Sequence, residues 1–272
     1  MNDNLFSVEG KCVAITGGAG VLGESMCRAL AARGAKLAVM DIDTARAGEL
    51  CKRILADGGT AAAIEVNVLK KDSVEAACGM VVKALGRIDV LINAAGGNKK
   101  EATCAPPTTF FDLPADALRW VFELNCIGTM LPCQVFGKAM AAAGEGVIIN
   151  FSSMSAFHPL TRVVGYSAAK AAVSNFTEWL AVYMAINHSK SIRVNAVAPG
   201  FFLTEQNRFL LTDEKTGELT ARGRQIIDKT PMGRFGTPDE LIGTLVWLIS
   251  DASKFVTGVV VPVDGGFNVY TI

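Results

Sequence analysis

The sequence predicts an α/β fold, a doubly wound parallel sheet of about seven strands with helices on both faces. Short apolar runs alternate with longer helical patterns along the whole 272-residue chain, as in repeated strand–helix–strand units. The first apolar run opens into a glycine-rich loop. No linker, repeat or charge block marks a boundary, so residues 1–272 are expected to form one domain.

The strand predictions rest on apolar runs that have strand length and flanking turns. In chain order, these runs are residues 11–16, 36–40, 61–66, 88–92, 147–151, 192–197 and 259–263. The first helical pattern follows the glycine loop and ends near residue 33. The later helical patterns cover about residues 45–57, 73–85, 115–143, 164–186 and 238–250. Residues 98–114 are predicted to form an irregular loop, and residues 201–236 a mobile flap. In such a sheet, ligands bind at the C-terminal ends of the strands.

The glycine loop predicts a phosphate site. After the strand that ends at Thr16, the sequence reads Gly-Gly-Ala-Gly-Val-Leu-Gly, and a helix follows. Glycines let the backbone approach a phosphate, and the helix N-terminus offers free N–H groups. This order predicts a Rossmann-like dinucleotide cradle made of Gly17, Gly18, Gly20, Val21, Leu22 and Gly23.

The second strand ends at Asp41. A carboxylate at this place can accept hydrogen bonds from both adenosine-ribose hydroxyls and would repel a 2′-phosphate. The residue therefore favours NAD(H) over NADP(H). The alternative is that Asp41 caps the helix that begins near Thr44, although Asp43 is the better placed cap.

A tyrosine and a lysine predict acid–base chemistry. Tyr166 and Lys170 are four residues apart in an Ala-rich helical run, so their side chains share one helical face. An ammonium beside a phenol favours the phenolate and brings its proton exchange closer to neutral pH. Ser153 follows the strand at 147–151 and could converge with Tyr166 on one substrate oxygen. The alternative for the pair is an ordinary amphipathic contact on an exposed helix.

Asn125 is a polar residue in an apolar part of the helical pattern at 115–143. A buried amide needs hydrogen-bond partners or a function. The residues alone leave both readings open: a side chain satisfied by neighbouring backbone, or a member of the site.

Composition argues against several classes of protein. Lys plus Arg equal Asp plus Glu at 26 each, which disfavours nucleic acid as a partner. The acidic, polar start of the chain predicts no secretory signal, and no apolar run approaches the ~20 residues of a membrane span. The seven cysteines form no C-x-x-C pair and are expected to be buried, reduced thiols of a cytoplasmic protein. His158 and His188 are far apart, so no metal site is expected.

The landmarks together resemble the short-chain dehydrogenase/reductase family over nearly the whole chain. They are the loop from Thr16 to Gly23, Asp41, Asn93-Ala94-Ala95-Gly96, Asn125, Ser153, Tyr166-Ser167-Ala168-Ala169-Lys170, Pro199-Gly200 with Thr204, and Val263-Asp264-Gly265-Gly266. There are two departures. Val21 stands where the family has its middle glycine, and Asn67 stands where the family has an adenine-contacting Asp.

The resemblance implies roles for the catalytic candidates. Tyr166 would be the general acid/base, and Lys170 would lower its pKa and hold the nicotinamide ribose. Ser153 would polarise the substrate carbonyl, and Asn125 would anchor a water in a proton relay. Besides the loop, Asp41, Tyr166 and Lys170, the implied cofactor contacts are Ile42, Asn67, Val68, Asn93, Ala94, Ala95, Pro199, Gly200, Phe202 and Thr204.

Three segments suggest the substrate. Residues 152–157, 199–208 and 233–236 resemble the bacterial branch of the family that interconverts D-mannonate and D-fructuronate, the fructuronate reductases. A sugar acid needs a cation and several polar partners. The candidates are Asn98, Ser155, His158, Arg162, Gln206, Asn207 and Arg208, with Arg208 favoured for the carboxylate. Each of them has the alternative of an ordinary solvated loop residue.

The sequence also allows other functions than sugar-acid reduction of this kind. One is a reductase of another substrate, either gluconate 5-dehydrogenase-like or specific for a 3-oxoacyl thioester. Another is a catalytically silent NAD-binding module. The helix at 164–186 is apolar almost all round, which suggests an association surface, and the resemblance implies a homotetramer or homodimer.

Overall fold

The computed structural model describes residues 4–203, 211–213 and 216–270. In that part of the chain, seven parallel strands form one sheet in the order β3-β2-β1-β4-β5-β6-β7. The strands are β1 Cys12–Thr16, β2 Lys36–Asp41, β3 Thr60–Glu65, β4 Val90–Asn93, β5 Gly146–Phe151, β6 Ile192–Pro199 and β7 Val260–Val263. The predicted α/β class and parallel sheet are confirmed.

Helices cover both faces of the sheet. They are α1 Val21–Ala31, α2 Thr44–Ala56, α3 Lys71–Leu85, α4 Ala115–Phe122, α5 Gly128–Ala143, α6 Val164–Asn187, α7 Ala221–Asp228 and α8 Ile242–Ile249. Helices α1, α2 and α8 pack on one face and α3, α5 and α6 on the other. No helix in the described part of the chain has the length and apolar character needed to cross a membrane.

The strand sequences divide their side chains between two cores. In β5, Ile149 and Phe151 enter the core under α1 and α8, while Ile148 enters the core under α5 and α6. This alternation follows from the two-residue period of a strand, and burial of both faces explains why the strands read as continuous apolar runs. At about 25 cal/mol per Å² of apolar surface, such burial is the main stabilising term.

The strand order reverses between β1 and β4, and the predicted ligand site lies at the C-terminal ends of these strands. β1 pairs with β2 on one side and with β4 on the other, with Thr16 opposite both Met40 and Asn93. The chain leaves β1 for α1 on one face, while α5, which precedes β5, packs on the other. In sheets of this kind, ligands bind between two such connections at the C-terminal ends of the strands.

Two helical predictions needed correction. The pattern at 115–143 is interrupted by a π-helical turn at Glu123–Ile127, which separates α4 from α5. The pattern at 238–250 begins as a 3-10 turn at Pro238–Leu241 before α8. The loop at 98–114 is not only surface, because Ala102 is fully buried. The spacing of apolar residues in the sequence does not distinguish the π-helical and 3-10 turns from an α-helix, since all three place a similar face toward the core.

Helix α6 is buried along one face only. Ala169, Val173 and Leu180 are buried, whereas Trp179, Val182 and Ile186 are 57%, 59% and 76% exposed. Trp179 stacks on Tyr183 with their ring centroids 5.0 Å apart. The sheet therefore covers one side of this apolar helix and leaves the other side as an exposed apolar face.

Candidate active site

The glycine loop packs against the loop that follows β4. Gly17 has φ +66°, and a Cβ on it would lie 2.8 Å from the Cα of Ala95. A Cβ on Gly23 would overlap the carbonyl oxygen of Gly17. Gly20 precedes α1 and gives it no side-chain cap, so the first N–H groups of α1 remain available to an anion. Val21 is the first residue of α1, so its N–H is one of these groups.

Asp41 braces that loop. Its carboxylate accepts hydrogen bonds from the N–H of Ala19 at 3.0 Å and from the N–H of Asp43 at 3.0 Å. Asp43 caps α2 by accepting from the N–H of Arg46, so the alternative cap role for Asp41 is excluded. The charge of Asp41 thus lies beside the phosphate cradle at the end of β2, where a ribose would lie. These loops and this carboxylate fit a dinucleotide cofactor.

Lys170 is buried beneath the end of β5. It is 4% exposed, and its ammonium donates a 2.6 Å hydrogen bond to the carbonyl oxygen of Phe151. Burial lowers the pKa of Lys170 to about 8, while the nearby Cys126 opposes the change. A base with this pKa can exchange a proton near neutral pH.

Tyr166 and Ser153 meet as predicted. The hydroxyl of Ser153 lies on the side of the Tyr166 phenol, where it favours the phenolate, and it accepts a hydrogen bond from the N–H of Ser155 at 3.2 Å. Ser153 is buried and Tyr166 half-buried. Since the Ser155 N–H occupies one acceptor position of Ser153, the serine hydrogen is free to point at Tyr166 or at a substrate oxygen.

The expected direction of the Tyr166 pKa was wrong for the protein alone. Burial raises the pKa of Tyr166, and the hydrogen bond from Ser153 offsets only part of that rise. The Lys170 ammonium lies 5.6 Å from the phenol ring centroid and is hydrogen-bonded to Phe151. Desolvation therefore outweighs the attraction between the ammonium and the phenolate.

A row of polar contacts holds α6 in register with β5. Asn150 donates to the hydroxyl of Thr177 at 2.9 Å, and the hydroxyls of Ser152 and Ser174 lie 2.7 Å apart. Position 150 in β5 and position 152 just after it are two residues apart and point to the same side, and positions 170, 174 and 177 share one face of α6. Sequence reasoning missed these supporting residues. The matching polar spacings on strand and helix were the available signal.

Asn125 lies in the π-helical turn, and its amide is satisfied by backbone. Its Nδ2 donates to the carbonyls of Gly97 at 2.6 Å and Val121 at 2.7 Å, and its Oδ1 accepts from the N–H of Gly97 at 3.0 Å. A Cβ on Gly96 would lie 2.7 Å from Asn125 Oδ1 and 3.3 Å from Lys170 Nζ. The asparagine and the lysine thus converge on Gly96, and the relay role stays a prediction.

Several predicted cofactor residues are engaged elsewhere through their side chains. Asn93 donates through its Nδ2 to Cys133 Sγ at 3.2 Å and to Asn150 Oδ1 at 2.9 Å, while its own Oδ1 is buried without a hydrogen-bond partner among the described residues. Asn67 accepts from the N–H of Leu69 at 3.0 Å. Val68 is buried against Gly128, whereas Ile42 is 67% exposed beside Asp41.

The remaining cofactor candidates line the same edge of the sheet. Ala94 and Ala95 donate their N–H groups to Thr16, to its carbonyl at 3.2 Å and its hydroxyl at 3.3 Å. Gly200, after Pro199 at the end of β6, donates to the carbonyl of Val263 at 2.9 Å. Phe202 forms a parallel bridge with Gly236.

The predicted substrate residues are only partly brought together. Ser155 is 2% exposed, and its hydroxyl has no hydrogen-bond partner among the described residues. Asn98 is exposed and donates to Thr103 at 2.8 Å, and His158 is exposed. Thr204, Gln206, Asn207 and Arg208 lie outside the described residues.

The cysteines behave as predicted. All seven are free thiols, and all but Cys104 are buried. Burial raises the pKa of Cys133 to about 12, because a thiolate there would lose its hydration. These thiols therefore act as small apolar side chains.

Comparison with known proteins places this geometry among oxidoreductases. A family model described as enoyl-(acyl carrier protein) reductase matches residues 17–268. An uncharacterized oxidoreductase of Bacillus subtilis, UxuB, is 45% identical over 274 residues, covering 97% of both chains.

Two solved structures are also similar. One, from Haemophilus influenza with bound NAD, is provisionally named a D-mannonate oxidoreductase; it is 44% identical, covers 97% of both chains and has a TM-score of 0.91. The other is a gluconate 5-dehydrogenase from Burkholderia cenocepacia in complex with NADP and tartrate. It is 31% identical, covers 98% of this chain and 99% of its own, and has a TM-score of 0.86.

Proposed function

The chain belongs to the short-chain dehydrogenase/reductase family and is an NAD(P)-dependent oxidoreductase, and we propose that it interconverts D-mannonate and D-fructuronate with NAD(H). The contact between Ser153 and Tyr166 beside the buried Lys170 is the observation that carries the reaction type. The similarity to the Haemophilus structure supports the choice of substrate.

In the proposed mechanism, Tyr166 moves the proton. During reduction its phenol donates a proton to the substrate oxygen, and during oxidation its phenolate accepts that proton. NAD(H), when bound, donates or accepts the hydride. Ser153 donates a hydrogen bond to the same substrate oxygen and polarises the carbonyl. Lys170 supplies positive charge beneath the phenol and, with Asn125, connects the site to a proton source.

The preference for NAD(H) is part of the proposal. It is supported by the Asp41 carboxylate beside Ala19 and by the NAD in the Haemophilus structure. The gluconate 5-dehydrogenase structure holds NADP, so the two cofactors must be compared directly. The cofactor would be held by the glycine loop, by Asp41, and by the backbone of Asn93, Ala94 and Ala95.

A second candidate substrate is 5-keto-D-gluconate, favoured by the similarity to gluconate 5-dehydrogenase. Initial rates with D-fructuronate and 5-keto-D-gluconate, each with NADH and NADPH, test the proposal. Higher kcat/KM for D-fructuronate with NADH is expected. Higher kcat/KM for 5-keto-D-gluconate would favour the second candidate. Absence of turnover across a sugar-acid panel, with NAD binding intact, would favour a silent cofactor-binding module.

The proposal extends to the substrate flap, the oligomeric state and the cellular compartment. Residues 201–236 are proposed as the substrate flap, which includes Arg208 as the sequence-based candidate for the carboxylate. The exposed apolar face of α6 is covered by other copies of the chain in a homotetramer or homodimer, since Trp179, Val182 and Ile186 together expose a large apolar area. The seven free cysteines suit a cytoplasmic protein.

A further inference from the structure

Four buried polar side chains meet between β4, β5, α5 and α6. Asn93 is the last residue of β4, Cys133 lies in α5, Asn150 in β5 and Thr177 in α6. Each of them is at most 3% exposed. Buried polar groups have lost their hydration, so they need hydrogen-bond partners of fixed geometry. These four residues form the Asn150 junction.

The hydrogen bonds of the Asn150 junction run in one direction. Asn93 Nδ2 donates to Asn150 Oδ1 at 2.9 Å, and Asn150 Nδ2 donates to Thr177 Oγ1 at 2.9 Å. The single hydroxyl hydrogen of Thr177 is donated to the carbonyl of Val173 at 2.8 Å, so Thr177 must accept from Asn150. Cys133 Sγ lies 3.5 Å from Asn150 Oδ1, which ties α5 to the same amide. Side chains therefore connect the end of β4 through β5 to α6.

Helix α6 carries the proposed acid–base pair on the side that meets this junction. Tyr166, Lys170 and Thr177 are spaced by four and seven residues, so they lie on one side of the helix. The Lys170 ammonium donates to the carbonyl of Phe151, and Asn150 is the residue just before Phe151. The two contacts thus hold one strand end at two places on α6 that are about two turns apart.

Apolar packing alone does not fix the position of α6 along the sheet. Leu180, Ala181 and Met184 pack on the sheet through contacts that have no preferred direction, so they tolerate small slips of the helix along its axis. A hydrogen bond tolerates such slips much less, because it weakens steeply with distance and angle. A slip of α6 by one residue, about 1.5 Å, would strain both the Asn150 junction and the bond made by Lys170.

We propose that Asn150 and Thr177 are positioning residues for the proposed reaction. Their hydrogen bond holds α6 at the position along β5 where Lys170 is buried against Phe151 and Tyr166 lies at the site. Both side chains are fully buried, so they act through the position of the helix and not by touching a substrate. The inference rests on the proposed function for the reaction that reports it, whereas the placement of Lys170 is measured without turnover.

The test variants break the link from either side. T177V replaces the threonine hydroxyl by a methyl group of similar size, and T177S keeps the hydroxyl. N150L removes the link from the strand side. The matched control is S253A, because Ser253 is a buried residue whose hydroxyl donates to the carbonyls of Leu248 and Ser250, outside the junction.

The first measurement follows Lys170 in the cofactor-free proteins by NMR titration of the lysine side chains. Burial lowers the pKa of Lys170 to about 8, and the titratable groups that face its ammonium, Cys126 and Tyr166, are unchanged in every variant. T177V is expected to raise this pKa by about one unit or more, because a slipped helix exposes the ammonium to water. T177S and S253A should keep the wild-type value. A wild-type value in T177V would overturn the proposal.

Turnover separates positioning from a general loss of stability. T177V is expected to lower kcat for D-fructuronate about 10- to 100-fold, with KM and NADH affinity changed less than about twofold. T177S should recover most of the lost kcat, and S253A should keep the wild-type kcat. The double variant N150L/T177V should lose no more kcat than N150L alone, because both substitutions break one link. Additive losses, or an equal loss in S253A, would overturn the proposal.

The two measurements fail separately. If wild type does not reduce D-fructuronate but T177V raises the pKa of Lys170 and T177S does not, the proposed function fails and the positioning role stands. If T177V does not fold, N150L takes its place in both measurements, with the same expected rise in the pKa and fall in kcat. An unchanged pKa and kcat in N150L would then overturn the proposal.

Discussion

The ammonium nitrogen of Lys170 lies 2.6 Å from the main-chain carbonyl oxygen of Phe151. This bond ties α6, which carries Tyr166, to the last residue of β5. Ser153 follows Phe151 after one residue, so the same contact sets the phenol and the serine hydroxyl side by side. The buried lysine thus aligns the two elements that carry the proposed reacting groups.

Replacing Tyr166 by Phe is expected to lower kcat by about 100- to 10,000-fold, because it removes the proton donor from the substrate oxygen. NADH should still bind, since the ring remains packed. The measurements are NADH absorbance for turnover and NADH fluorescence for binding. Tyr183→Phe, at an exposed position on α6, should keep wild-type turnover. Near-normal activity of Tyr166→Phe would remove the tyrosine from the mechanism.

The lowered pKa of Lys170 predicts a pH-dependent stability. In the unfolded chain the lysine titrates near 10.5, and in the folded protein near 8. Between these values the unfolded chain holds a proton that the folded protein has released. Raising the pH through this window therefore stabilises the folded protein.

Lys170→Met tests that prediction, because methionine does not titrate. From pH 8 to 10, the free energy of unfolding of wild type should rise relative to Lys170→Met by roughly 2 kcal/mol. Urea denaturation of the cofactor-free proteins at several pH values measures the difference. A difference that stays constant across the window would contradict a lowered pKa.

Asp41→Asn is expected to change the cofactor preference. The amide oxygen can still accept from Ala19, but the charge that repels a 2′-phosphate is gone. The ratio of kcat/KM for NADH to that for NADPH should fall at least about tenfold. Asp43→Asn removes a neighbouring charge that caps α2 and should leave this ratio unchanged. An unchanged ratio in Asp41→Asn would show that Asp41 does not select the cofactor.

Ile186→Glu is expected to break the proposed homotetramer or homodimer, since it places a charge on the exposed apolar face of α6. Light scattering coupled to size exclusion should report a smaller species than wild type. Met80→Glu on α3, where Met80 is 42% exposed, is the matched control and should keep the wild-type mass. A wild-type mass for Ile186→Glu would place the interface elsewhere.

Strand positions followed from the sequence because burial of both sheet faces makes each strand a continuous apolar run. The predicted run at 147–151 and the observed β5 at Gly146–Phe151 differ by one residue. The π-helical turn at Glu123–Ile127 was not predicted. Asn125 in this turn donates a hydrogen bond to the carbonyl of Gly97, and a contact with a segment that distant in the chain leaves no local sequence pattern.

The sequence by itself determined the alternation of strands and helices, the glycine cradle and the spacing of Ser153, Tyr166 and Lys170, because these depend on local periodicity and residue chemistry. Only the tertiary structure decided the pKa values of the buried groups and the contacts that each side chain makes. Burial raises the pKa of Tyr166 against the expected direction, and Asn93 donates its side-chain amide to Asn150 Oδ1. Desolvation and contacts between remote segments exist only once the chain has packed, so no local pattern records them.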